Sequence, residues 1–319
     1  AGVSIVVNLI TMGILYGVLR ATLFQPRLEL DWSAQKRMLQ DSYPLMVNNL
    51  LATLFFKVAV LLLEWILKDL AIVGWYSTAY KYIDAVGVIP TYFTIALFPL
   101  MSRYAAEAKG SLYKAYLLAL KLLLMVAVPG AWLGWALSKE LITLLGGTQY
   151  LPYAAQILKV MIWYMPIGFI NSVTQYVLIA LDQQRFLTRA FAIGLAFNVI
   201  ANVALINRFG FMAAAYVAVA SELVLLIPFY VGVRRHLARI PWLELAGKQA
   251  LCALPLGALL VFLPHRQGLL AIPLGLACYG LGMRVLGVLS AEEREVVGRV
   301  LPLRRFQAKL AALWARRVD

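Results

Sequence analysis

The chain has 319 residues, of which 63% are apolar and 14% charged, whereas soluble domains carry about 45–50% apolar and about 25% charged residues. That combination excludes an ordinary water-soluble enzyme. The net charge of +14 would suit a nucleic-acid partner in a soluble protein, but here the basic residues fall at the ends of apolar runs, which is a membrane-orientation pattern, and nucleic acid is not expected as a partner.

Nine apolar segments follow one another along the chain, at roughly 2–24, 42–66, 72–102, 113–137, 152–181, 187–206, 209–233, 246–264 and 268–288. Only helices and closed barrels satisfy their backbone inside a bilayer, and these runs are about twice the length of a barrel strand, so the expected fold is all-α and polytopic with about nine transmembrane helices. Between the first two, residues 30–40 (LELDWSAQKRM) mix Leu30, Trp32 and Met38 with Lys36 and Arg37, which predicts an interfacial elbow. The connection at about 138–151 is itself mostly apolar. Ser290 followed by Glu293 predicts a capping-box helix start. Beyond Pro302 the segment LRRFQAKLAALWARR predicts a basic amphipathic helix on an anionic leaflet, with a partner-protein helix as the alternative.

The basic residues alternate by segment end. Arg20, Arg27, Lys36, Arg37, Arg103, Lys109, Lys114, Lys121, Arg185, Arg189, Arg234, Arg235, Arg239, Lys248 and Arg284 fall at one set of ends, against Lys68, Lys139, Arg208 and Arg266 at the other. The positive-inside rule places the first set, and the C-terminus with it, in the cytoplasm. The start at Ala1 has neither a basic n-region nor a cleavage motif, so no signal peptide is expected.

Motifs for covalent chemistry are sparse. Ser33-x-x-Lys36 and Ser111-x-x-Lys114 lack the companion motifs of penicillin-binding proteins. Gly280-x-Gly282 lies inside an apolar segment with no strand before it, which favours close helix packing over nucleotide binding. Cys252 and Cys278 form no C-x-x-C, and His236 and His265 sit beside arginines at segment ends, so no metal site is expected.

The informative residues are ionisable groups inside predicted spans, each costing about 2.5–3.5 kcal/mol or more to insert. Lys57 is ten residues from the end of its segment, so about 15 Å deep in a hydrocarbon core of about 30 Å. It has no acid at i±3 or i±4, the nearest on its face being Glu64, and it is expected to line a functional cavity. Lys81 lies at similar depth and could either do the same or neutralise Asp84 at i+3. Lys159 could line the cavity or snorkel to an interface. Glu222 could be a buried hydrogen-bonded acid or an ion site. Asn48, Asn171, Gln175, Asn198 and Asn202 could tie helices together or contact a sugar. Pro44, Pro90, Pro99, Pro129, Pro166 and Pro228 predict kinked helices, as alternating access would use.

Segment 73–103, VGWYSTAYKYIDAVGVIPTYFTIALFPLMSR, resembles the vGxYsaAyk…lp…alfPxlsR segment of polysaccharide flippases in the multidrug/oligosaccharidyl-lipid/polysaccharide exporter superfamily. LGGTQYLPYAAQIL (145–158) is similar to that family's outer loop and helix start, ALDQQR (180–185) to its algrqr turn, and NVIANVALINRFGFMAAAYVA (198–218) to its NxxxNxxLIPxxGxxGAAxAT segment. The resemblance covers about 41–234. It departs at Ala59, where an Arg-x-Asp acid is usual and only the cation survives as Lys57, at Asn207 for a proline and at Ala213 for a glycine; the missing acid puts in doubt cation coupling at that position.

The resemblance implies that residues 1–40 are the last helix of a first bundle plus an inter-bundle elbow, with about five helices preceding them. It implies a second six-helix bundle at 41–239, a C-terminal helix pair at 240–289 and a basic cytoplasmic tail at 290–319. It implies a multi-pass protein of the plasma (inner) membrane that is not an enzyme and needs no cofactor. Its function would be to flip a polyprenyl-pyrophosphate-linked oligosaccharide from the inner to the outer leaflet for polysaccharide export. Lys57, Lys81 and Lys159 would attract the pyrophosphate, with Asn48, Asn171, Gln175, Asn198 and Asn202 as further substrate contacts and Asp84 and Glu222 modulating charge or holding an ion. Anionic lipids at the basic tail and other membrane proteins of polysaccharide assembly are the further partners. The alternatives are a cation-coupled multidrug exporter, a peptidoglycan-precursor (lipid II) flippase and, from another class, a membrane-embedded sugar transferase or ligase. A drug exporter for cationic compounds would want acids in its cavity, and an enzyme would want acids, histidines or arginines on a sizeable outer loop.

Overall fold

A computed structural model describes residues 2–22, 31–262 and 268–300. The elements described are helical: α1 (Gly2–Thr22), α2 (Trp32–Leu67), α3 (Leu70–Glu107), α4 (Lys109–Ala136), α5 (Ser138–Gly146), α6 (Tyr153–Met161), α7 (Tyr164–Ala180), α8 (Gln184–Phe209), α9 (Phe211–His236), α10 (Lys248–Phe262), α11 (Gly268–Val285) and α12 (Ala291–Val300). The protein is therefore an all-α polytopic membrane protein. Seven described helices are long and apolar enough to cross a bilayer, and α6 with α7 makes an eighth if the bent pair is one span. The ninth apolar segment is present as α11, whose described apolar stretch, Ala271–Val285, is shorter. The proposed amphipathic helix beyond Pro302 and His265 lie outside the described residues.

The chain divides into two compact units, Ala1–Met46 and Val47–Asp319. In the first, α1 is exposed from residue 5 to residue 22 except at the half-buried Leu19. The segment read as an elbow is helical from Trp32 onward, as the opening turns of α2. The cause is local: the Asp31 carboxylate accepts from the Ser33 N–H (2.8 Å), the Ser33 hydroxyl (2.7 Å) and the Ala34 N–H (3.2 Å). This N-cap satisfies amides that a helix start otherwise leaves unpaired. The same bonds, that from the Ser33 hydroxyl foremost, hold the Asp31 carboxyl below its ordinary range.

In the second unit the spans are joined by tight turns. Lys68, at φ +51°, ends α2, and the Asp69 carboxylate caps α3 by accepting from the Ala71 N–H at 2.8 Å. Gly210, at φ +63°, turns α8 into α9, a conformation that glycine adopts without the cost a Cβ imposes. The connection at 138–151 contains the short helix α5 and a 3-10 turn, Thr148–Tyr150. Segment 152–181 is not one helix: α6 and α7 meet at a 46° bend. Pro166 is the third residue of α7, where its missing N–H has no intrahelical partner to lose. It therefore sits in the first turn of a new helix and does not kink the middle of an old one. Helices α3, α4 and α9 run on through Pro90, Pro99, Pro129 and Pro228.

Helix α7 is central, packing on α3, α4 and α9, while α8 packs on α9, and α10 on both α11 and α4. One buried cluster gathers Tyr116, Phe169, Phe191 and Phe229, and a second gathers Leu63, Tyr76, Ile142 and Ile157. Phe191 and Phe229 meet edge to face at 5.7 Å, the arrangement aromatic quadrupoles favour. A smaller cluster joins α10 to α11 through Cys252, Ala253 and Tyr279. There a Cβ on Gly282 would lie 3.3 Å from the Cys252 Sγ, whereas a Cβ on Gly280 would meet nothing within 4 Å. Close packing thus accounts for Gly282 and not for Gly280.

Candidate functional site

The clearest cluster of membrane-depth charge lies between α2 and α3. The Lys57 Nζ is 2.9 Å from Asp84 Oδ2 and 3.2 Å from Oδ1, and it stands 4.4 Å from the centroid of the Tyr80 ring. The ammonium is therefore held by a bidentate carboxylate contact and by a π face. Both side chains of the pair are about half exposed, at 50% and 56%. Lys81, also exposed, makes no hydrogen bond or ion pair among the described residues. Of the two readings open for Lys81, neutralisation of Asp84 at i+3 does not occur: Asp84 bonds Lys57 across helices, so the acid that Lys57 lacks at i±3 and i±4 of its own helix comes from α3. The helix-local spacing of Lys81 and Asp84 could not reveal this partner, because the register of α2 against α3 decides it.

Tyr80 was not among the expected site residues. A signal for it does exist: it precedes Asp84 by four residues and so shares its helix face. A group that reaches the Asp84 carboxylate from a neighbouring helix passes over that ring.

A second polar cluster is buried between α7 and α9. Glu222 is 1% exposed and Asn171 4%. The Asn171 amide donates to Glu222 Oε2 at 2.6 Å and to the Glu222 carbonyl at 2.9 Å. The Glu222 Oε1, Asn171 Oδ1 and Ser221 Oγ are buried without a hydrogen-bond partner among the described residues. Such unpaired acceptors are costly in low dielectric. Nearby in α7, Thr174 bonds the Tyr116 hydroxyl of α4 at 2.8 Å.

The other candidates do not join these clusters. Asn48 ties α2 to α8, its amide donating to the Gln184 carbonyl at 3.2 Å and its carbonyl accepting from the Thr188 hydroxyl at 2.6 Å. Asn202 donates to the Asn198 carbonyl and side-chain oxygen, both at 2.8 Å, within α8. Lys159 is half-buried, with its Nζ 5.4 Å from the centroid of the Trp135 ring. Gln175 is half-buried and makes no hydrogen bond among the described residues.

An exposed ion pair and a further exposed lysine inside spanning helices are expensive in hydrocarbon, and they mark substrate or ion pathways where they occur. The all-helical spans that carry them define a polytopic membrane protein. Residues 2–155, just under half of the chain, match the family described as "Polysaccharide biosynthesis protein". The match takes in Asn48, Lys57, Lys81 and Asp84. It starts earlier than the resemblance seen in the sequence and stops before ALDQQR and 198–218. No curated protein matches the chain.

Proposed function

We propose that the protein is a flippase for a polyprenyl-pyrophosphate-linked oligosaccharide, carried from the inner to the outer leaflet of the plasma membrane. The observation that carries the reading is the half-exposed Lys57–Asp84 pair beside the unpaired Lys81. A pyrophosphate is a compact anion, and a cationic wall lowers the cost of bringing it to membrane depth. Lys57 is the primary contact, held ready on Tyr80 by Asp84. Asp84 stands in for the substrate anion until the pyrophosphate displaces it. Lys81 is the second contact. The lipid chain stays in the bilayer and needs no protein chemistry.

Lys159, Asn198 and Gln175 are secondary contacts in this reading. Asn48, Asn171 and Asn202 serve packing first, since their amide donors are already engaged. Glu222 is a charge modulator behind the cavity wall. Residues 41–239 act as one six-helix bundle that rocks against a partner bundle, with 240–289 as an appended pair, 290–319 as a basic tail and the basic ends cytoplasmic. The cationic wall disfavours the rival reading as an exporter of cationic drugs, which would seek acids.

The test is transport by the full natural chain in proteoliposomes. A fluorescent polyprenyl-pyrophosphate oligosaccharide should cross the bilayer, and a cationic dye should not. Export of the dye with no movement of the lipid-linked sugar would overturn the reading.

A further inference from the structure

Away from the Lys57 site, a cleft of about 290 Å³ opens where α4, α11 and α12 meet, lined by Met125, Gly280, Met283, Arg284, Val288 and Arg294. We propose that this cleft is a specific binding site for an anionic phospholipid, with the headgroup phosphate between Arg284 and Arg294 and the first acyl methylenes against the two methionines.

Four observations converge on it. Arg284 is exposed in the last turn of α11 and makes no hydrogen bond or ion pair among the described residues. Arg294 makes one long bond, Nε to the Ser290 carbonyl at 3.4 Å, so most of its five donors are unused. The guanidinium fork suits phosphate oxygens in a way an ammonium does not.

The second observation is that α12 is held in place. The Ser290 N–H donates to Glu293 Oε2 at 2.8 Å and the Glu293 N–H to Ser290 Oγ at 3.2 Å, which is the capping box expected from the sequence. Lys121 of α4 then grips both Glu293 oxygens, at 2.8 and 2.9 Å. Gly287, at φ +57°, makes the turn that brings α12 back over the end of α11. Arg294 therefore stands on an anchored helix.

Third, the local acids leave the cleft positive. Lys121 neutralises Glu293, while Glu292 and Glu295 lie two residues and one residue from Arg294, about 200° and 100° around the helix from it. Fourth, the remaining wall is apolar and has room. Met125, Met283 and Val288 supply it, and a Cβ at Gly280 would enter open space. Methionine walls adapt to irregular chains, and basic pockets between spanning helices at a membrane face recognise anionic headgroups.

The site does not depend on which cargo the protein moves. The test uses the full chain, purified in a neutral detergent and titrated with dioleoyl phosphatidylglycerol or dioleoyl phosphatidylcholine, with bound lipid counted by native mass spectrometry. One phosphatidylglycerol should bind in preference to phosphatidylcholine. At about fivefold per arginine, Arg284→Gln with Arg294→Gln should weaken phosphatidylglycerol more than about tenfold and leave phosphatidylcholine unchanged. Gly280→Leu, which fills the cleft and keeps both arginines, should also abolish the preference. Arg234→Gln, an exposed arginine outside the cleft, should change nothing. Equal weakening by Arg234→Gln would reduce the effect to diffuse surface charge and overturn the proposal. Displacement of the lipid by inorganic phosphate at equal concentration would overturn it as a simple anion site, and preference for a polyprenyl phosphate over phosphatidylglycerol would overturn it as a carrier-lipid site.

Discussion

Replacing Asp84 with asparagine should strengthen binding of the substrate anion. In the resting protein Lys57 is engaged by both Asp84 oxygens, at 2.9 and 3.2 Å. A pyrophosphate that binds Lys57 must displace that carboxylate. Both partners are about half exposed, and facing the water-filled pathway of the proposed function the pair is worth only about 0.2–1 kcal/mol after solvent screening. Removing the competitor therefore returns up to about 1 kcal/mol to the substrate, a factor of about five. Removing a fixed negative charge from beside the phosphates adds to that gain. Stability should hardly change, with the melting temperature moving by less than about 4 °C. Lys57 keeps the Tyr80 ring beneath it at 4.4 Å, so it should stay in place. The assay is equilibrium binding of a fluorescent polyprenyl pyrophosphate to the purified full chain, with Asp84→Asn compared against the natural residue. A variant that binds tenfold more weakly, or that unfolds, would refute the placeholder role and make Asp84 a structural or ion-binding group.

Two further predictions concern the fold. Asn171→Ala strips Glu222 of its amide donor, so a carboxyl only 1% exposed loses its partner at 2.6 Å; a loss of about 1–3 kcal/mol should appear as a lower melting temperature, and Glu222→Gln on the same background should recover part of it. Burial alone would raise the Glu293 carboxyl, but hydrogen bonds from Lys121 and from Ser290, with the Lys121 charge, hold it below its ordinary 4.5. With the folded value below the unfolded one, the contact contributes fully above about pH 4.5 and is lost as pH falls through the lower folded value. Protection against hydrogen exchange in 291–300 should fall in that acid window, and Lys121→Gln should weaken that pH dependence, leaving the part due to Ser290.

Features governed by local or one-dimensional rules were legible in the sequence. The apolar runs gave the spans, because a bilayer demands length and hydropathy whatever the neighbours are. Ser290 and Glu293 gave the start of α12, because a capping box closes within four residues. The membrane-depth residues Lys57, Lys81, Asp84 and Glu222 stood out by their insertion cost alone. Their partners did not. Asp84 turns to Lys57 and not to Lys81, and Glu222 turns to Asn171, because helix register and rotation choose between equally plausible neighbours. The bend before Tyr164 was also hidden, since residues 152–181 keep one unbroken apolar composition across two helices. The mixed Leu, Trp and Lys pattern of 30–40 suits an interfacial elbow, and there the chain is helical from Trp32, ahead of the apolar stretch that begins at Met46.

The central claim is that Lys57 and Lys81 attract the carrier's pyrophosphate at membrane depth. It is tested most directly by flipping a fluorescent polyprenyl-pyrophosphate oligosaccharide in proteoliposomes with the full natural chain and its Lys57→Gln, Lys81→Gln and double variants at equal reconstituted amounts. Each neutral replacement should lower transport, and the double variant should lower it further while remaining folded and inserted. Undiminished transport by a correctly inserted double variant would contradict the account.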